Sequence, residues 1–147
     1  MAADNQHIAT DFLSRDLSYK IVKCLYNTRN KYGMHHNERV YHLALREEFE
    51  LMGIKYKNKP RIELYSLTTG KKLTYYEPDY IIEDKIIIEI KAKRPIITQD
   101  QIMQIIEYLK ISKYEIAYLV NFKEQEFKPR RFIHTLDRKL FCKLSAN

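Results

Sequence analysis

Between Lys85 and Lys93 the chain reads Lys-Ile-Ile-Ile-Glu-Ile-Lys-Ala-Lys, and no other stretch constrains its fold as tightly. A run so rich in isoleucine is a strand, because β-branched side chains suit a pleated surface and lose rotamer freedom in a helix. With a period of two, Ile86, Ile88, Ile90 and Ala92 point one way, while Ile87, Glu89, Lys91 and Lys93 point the other. One face is expected to be core and the other to carry chemistry or salt bridges.

The residues just upstream set the register of its partner. Pairing Ile82 with Ile86 makes Glu83, Asp84 and Lys85 a three-residue hairpin loop. Ile81 then opposes Ile87, and Asp79 opposes Glu89, with Cβ atoms roughly 5 Å apart on one face. Two carboxylates converge there, with Lys91 beside them. Facing carboxylates repel unless a cation sits between them. Hard oxygen donors with no convergent Cys or His suit Mg²⁺ or Mn²⁺ rather than Zn²⁺. Such a cation polarises a scissile phosphate and acidifies a water, which is the chemistry of phosphodiester hydrolysis. Lys91 is placed to orient that water or offset developing charge. Taken alone, Glu-Ile-Lys on a strand is usually a solvated ion-pair face; the apolar neighbours and the Asp79 register argue against that here.

Two helices precede this hairpin. Leu17, Ile21, Cys24 and Leu25 recur at helical spacing over residues 15–32, before Gly33 stops the run. The second spans Asn37 to Met52, with Tyr41, Ala44, Leu45, Phe49 and Met52 inward and Glu38 one turn earlier on the same face. Glu38 is thus a candidate further ligand. From Lys55 the period falls to two: Ile62 and Leu64 mark a strand, Gly70 a turn, and Leu73 to Ile82 a strand broken at Pro78. After Pro95, Thr98 and Gln101 have the residue types of a capping box. Ile102, Ile105, Ile106 and Leu109 form the buried stripe of the helix that follows, and Gln104 on its flank is a candidate to position Lys91 or a substrate oxygen. Tyr114 to Phe122 is another strand, and Phe127 to Ile133 supplies an extra edge strand before a C-terminal turn or helix. The class is α/β, a central mixed sheet flanked by helices in the order ααβββαβ, in one domain over residues 1–147.

Composition adds a partner class. A formal net charge of +7 favours polyanions, since Lys and Arg neutralise phosphates and release counterions. Lys93 and Arg94 run outward from the carboxylate pair and are placed to guide a phosphate backbone, with Lys110 and Lys113 as candidates to widen that surface. Lys55, Lys57, Lys59 and Arg61 alternate along an extended stretch and read by default as a solvated face. His35 and His36 adjoin each other in a loop and are not read as ligands. No apolar stretch reaches the ~20 residues that span a bilayer. Cys24 and Cys142 are the only cysteines, and nothing before Phe12 resembles a secretory leader. The expected compartment is reducing and intracellular, the cytoplasm or the nucleus.

With Glu77, Pro78 and Asp79, then Ile87 to Lys91, the hairpin resembles the core of the PD-(D/E)XK nuclease superfamily. Within it, Glu38, Arg39, Val40, Tyr41, Ala44 and Leu45 are similar to the helix motif of the small GxxExxY group, with His35 where that motif has glycine. The likeness continues through Gln104, Tyr108, Leu109 and Lys110 to Asn121 and Phe122, covering residues 17–133. It implies a restriction-endonuclease-like core, metal ligation by Asp79, Glu89 and the Ile90 carbonyl, and a catalytic role for Lys91. The function expected is a Mg²⁺- or Mn²⁺-dependent nuclease acting on nucleic acid, DNA favoured over RNA, with a homo-oligomer left open. The alternative is an inactive nucleic-acid-binding or assembly module that retains the fold.

Overall fold

The computed structural model describes residues 2–139, with side chains described for residues 14–137 and Lys139. Helix α1 (Ala2–Tyr32) ends where Gly33 takes a left-handed φ of +69° and its amide returns to Arg29 O at 2.8 Å. Helix α2 (Glu38–Leu51) starts on Asn37, whose side chain accepts from the Val40 amide. Its buried face is Tyr41, Ala44, Leu45, Glu48 and Phe49. Glu48 is the polar member, held by Lys31 and Asn27 of α1. Five strands follow, β1 (Tyr56–Asn58), β2 (Ile62–Tyr65), β3 (Lys72–Tyr76), β4 (Tyr80–Ile82) and β5 (Ile86–Lys91), then α3 (Gln99–Ile111), β6 (Ile116–Asn121) and β7 (Arg130–Ile133). A short 3-10 turn covers Leu136–Arg138. Cys142 lies outside the described residues.

The central sheet has the order β1-β4-β5-β6-β7. Only β5 and β6 run parallel; the other neighbours are antiparallel. The sheet is therefore mixed and flanked by helices, as expected. The element order departs from the expected one in two places. The stretch from Leu73 to Ile82 becomes two strands of different sheets: β3 pairs with β2 in a separate hairpin, and β4 joins the central sheet. Pro78 causes the switch, since it has no N–H to donate to a ladder. The second departure is β1, three residues in the basic stretch read as solvated, which pairs along β4 as an edge strand.

The β4–β5 register is the expected one: Ile82 opposes Ile86, Ile81 opposes Ile87 and Tyr80 opposes Ile88. Glu83 and Asp84 turn the chain with φ near +50°, and the Lys85 amide closes the loop onto Ile82 O at 2.9 Å. Both faces of β5 are covered. Ile86, Ile88, Ile90 and Ala92 join the core beneath α1 and α2, whereas Ile87 joins Ile105, Tyr108 and Leu109 of α3. The expectation of one core face and one chemical face is thereby corrected. Helix α3 covers the second face, and Glu89 is only 5% exposed within it.

The connection from β5 through α3 to β6 fixes the direction of α3. Parallel neighbours need a crossover, so α3 runs back against β5, with its N-terminus at the Lys91 end and its C-terminus near the hairpin tip. Thr98 caps it in a full capping box with Gln101. No helix among the described residues is long and apolar enough to cross a membrane.

Candidate active site

The ladder between β4 and β5 stops at Tyr80 and Ile88, and two side chains continue it. The Asp79 amide donates to Glu89 Oε1 at 2.7 Å, and the Ile90 amide donates to Asp79 Oδ2 at 2.7 Å. Each carboxylate thus has one oxygen on a backbone amide, which fixes its orientation and offsets part of its buried charge. Lys91 Nζ lies 3.5 Å from the other oxygen of Glu89, Oε2. Burial first, then the Asp79 charge, pushes the Glu89 carboxyl up to about 7, with Lys91 and the Asp79 amide pulling it back. Asp79 is raised mainly by burial, opposed by the Ile90 amide, His42 and Lys91. The Tyr108 hydroxyl is pushed up to about 12 by burial and by the nearby charges of Glu89 and Asp79.

Helix α2 supplies the opposite wall. The Tyr41 ring stacks on Phe122 at 4.5 Å and its hydroxyl donates to Gly33 O at 2.6 Å, locking the start of α2 beside the end of β6. Arg29 of α1 holds the same loop through Phe122 O and Glu124 O. Ligand atoms of Glu38, His42 and Asp79 then all lie within 4.8 Å of one another. His42 Nε2 is 3.5 Å from Glu38 Oε1, and its Nδ1 is 2.7 Å from the Tyr80 hydroxyl. That hydroxyl, pushed up to about 12 by burial, also accepts from Arg46 Nε at 3.1 Å. A hydrogen-bonded partner on one ring nitrogen is the usual way of orienting the other toward a ligand.

Beside this cluster a cavity of about 380 Å³ is lined by Glu38, Lys91, Lys93, Arg94, Gln101 and Asn121. Asn121 is fully buried and donates to Arg94 O at 2.6 Å and Ile96 O at 3.1 Å, fastening the loop that carries Lys93 and Arg94.

The structure therefore brings together Glu38, Asp79, Glu89, Lys91 and the Ile90 backbone, with Lys93 and Arg94 beside them. Gln104 is elsewhere: it is exposed on α3, and Gln101, one turn earlier, lines the cavity instead. Lys110 and Lys113 sit at the far end of α3, where they line a different cavity and Lys113 pairs with Asp84 of the hairpin tip at 2.8 Å. The direction of α3 explains both. The sequence reading missed His42, and the inference that no His converges is corrected. Its available signal was its position four residues after Glu38, on the same side of the helix.

The donor set suits a divalent cation. It offers carboxylate oxygens with one imidazole nitrogen in a partly enclosed, basic surround, and the buried carboxylates gain from a countercharge. The sheet is mixed and lies between helices, and the acidic cluster and the lysine gather at the carboxyl end of its parallel strands, where open α/β sheets place their ligands. The sequence model of the PD-(D/E)XK nuclease superfamily matches residues 15–132, and the chain belongs to that superfamily. A solved structure titled "Crystal structure of SSO0001" is similar in fold, with TM-score 0.51 and 18% identity, over 86% of this chain and 71% of that one. A search of curated proteins finds no match.

Proposed function

We propose that this protein is a metal-dependent nuclease that hydrolyses phosphodiester bonds in nucleic acid, as a member of the GxxExxY group of its superfamily. The observation that carries the reading is the facing pair Asp79 and Glu89, each tied to a backbone amide, with Lys91 3.5 Å from Glu89 and the Glu38–His42 pair within reach of Asp79. Asp79, Glu89, Glu38, His42 and the Ile90 carbonyl are the groups assigned to hold Mg²⁺ or Mn²⁺. When bound, the cation supplies positive charge at the phosphate and acidifies a water.

The remaining work falls to the chain itself. Lys91 offsets charge on the phosphate oxygens and orients the attacking water; its ammonium is drawn to Glu89 and faces the cavity that holds Glu38. Lys93 and Arg94, exposed on the loop fastened by Asn121, hold the adjoining backbone. Gln101 rather than Gln104 is the glutamine in contact with that space. The test is cleavage of DNA and RNA, single- and double-stranded, with Mg²⁺ or Mn²⁺, comparing the parent with Lys91→Ala and Asp79→Ala. Metal-dependent cleavage lost in both variants is expected. Cleavage unchanged in both sinks the assignment.

A further inference from the structure

A second basic cavity adjoins the acidic cluster. It measures about 540 Å³ and is lined by Glu38, Arg39, His42, Arg46, Lys59 and Asp79, among others. Glu38 is shared with the first cavity, where Lys91, Lys93 and Arg94 lie. Two groups of three cations, contributed by different elements, thus line two cavities that meet at Glu38. Arg39 and Arg46 come from one face of α2, separated by seven residues together with His42 at the third, so they form a stripe along the helix.

Lys59 reaches this cavity by a specific backbone device. It follows β1 with a φ of +49°, a left-handed conformation that is strained for a non-glycine residue. Its amide donates to Asp79 O at 2.9 Å, so the lysine is tied to the backbone of the acidic residue itself. Among the described residues, no acidic side chain pairs with Arg39, Lys59, Lys93 or Arg94. Arg39, Lys59, Lys93 and Arg94 are also exposed. Exposed cations with no internal acid are available to phosphates.

We infer that Arg39, Arg46 and Lys59 form a second phosphate-binding subsite, so that the polynucleotide backbone crosses Glu38 and is gripped on both sides of the bond that is cut. The inference rests on the nuclease reading and deepens it: the substrate class is an internal phosphodiester, with nucleotides on either side, rather than a chain end. A site built for an end has cations on one side and a block on the other. Here basic residues line two separate cavities that share Glu38.

Two measurements test this together. The first is binding of labelled DNA without metal, across a salt series, for the parent, the Arg39→Gln/Lys59→Gln double variant and the Lys93→Gln/Arg94→Gln double variant. All four positions are exposed, so folding is checked simply by circular dichroism and thermal melting. Each double variant is expected to bind severalfold more weakly, and each lost phosphate contact lowers the slope of log affinity on log salt by about 0.7 on single strands. The second is incubation of single-stranded circles and covalently closed duplex circles with Mn²⁺, where cutting is expected. Parent-like binding by Arg39→Gln/Lys59→Gln beside weakened Lys93→Gln/Arg94→Gln overturns the second subsite and leaves the nuclease reading standing. Cleavage of linear DNA with circles untouched does the same. A parent that neither binds nor cuts nucleic acid removes both.

Discussion

Asp79 donates its backbone amide to the Glu89 carboxylate at 2.7 Å, one residue beyond the point where the β4–β5 ladder ends. Glu89 therefore substitutes a side-chain oxygen for a ladder carbonyl. The arrangement puts a carboxyl where its charge is disfavoured: Glu89 is nearly inaccessible, and its carboxyl is held up at about 7 by burial and by Asp79.

This sets a stability profile. Glu89 titrates at about 7 in the fold against 4.5 ordinarily, so the fold prefers its protonated form. Its contribution is fully present below the unfolded value and is lost as pH rises through the folded one; the raised Asp79 acts with the same sign. Without metal, the melting temperature of the parent should fall from about pH 4.5 to about pH 7 and level off above that, and Glu89→Gln should flatten that fall. Thermal melting in a chelator reads it. Equal slopes in the two proteins would exclude Glu89 as the cause.

A divalent cation should reverse the loss. It binds the deprotonated pair, so Mn²⁺ is expected to raise the melting temperature more at about pH 8 than at about pH 6. Asp79→Asn removes the gain, while Lys91→Ala keeps it, because the lysine is no ligand. A gain that survives Asp79→Asn would place the cation elsewhere.

His42 makes the centre selective. An imidazole donor favours Mn²⁺ over Mg²⁺, since nitrogen ligands suit transition metals better than the harder ion. His42→Ala should therefore lower Mn²⁺ affinity by at least about tenfold and change Mg²⁺ affinity little, and Tyr80→Phe should cost Mn²⁺ about tenfold by releasing the ring. Calorimetric titration of both ions into the three proteins measures this. Equal losses for both ions would deny His42 a ligand role.

Asn121 should matter to both stability and binding. Its amide satisfies Arg94 O and Ile96 O in a buried setting, so Asn121→Ala leaves those carbonyls without it and costs about 1–3 kcal/mol. For a chain of this size that is a melting shift of a few degrees per kcal/mol. DNA affinity should fall with it, since the loop bearing Lys93 and Arg94 is released; unchanged affinity would detach that loop from binding.

The hairpin was legible because its register depends only on the parity of a strand and the length of a turn, and Ile81, Ile87, Asp79 and Glu89 carry both in a few consecutive residues. The buried face of α2 and the capping box of α3 were legible for the same reason, being local. What escaped was long-range. Whether Gln101 or Gln104 meets the site, and whether Lys110 and Lys113 do, depends on which end of α3 comes home, which the β5–α3–β6 crossover decides. The switch of sheets at Pro78 and the pairing of β1 depend on strands far apart in sequence. His42 hid in a helix whose apolar stripe explained every neighbour, and only the placement of α2 against Tyr80 brings its ring to Asp79.

A divalent cation is expected among these acids. A crystal structure soaked in Mn²⁺, with the anomalous difference map inspected at this site, tests it most directly. A peak bounded by Asp79 with Glu89 and by the Glu38–His42 pair is expected, and none there in Asp79→Asn. A well-ordered site with no peak, or a peak that persists in Asp79→Asn, would contradict it.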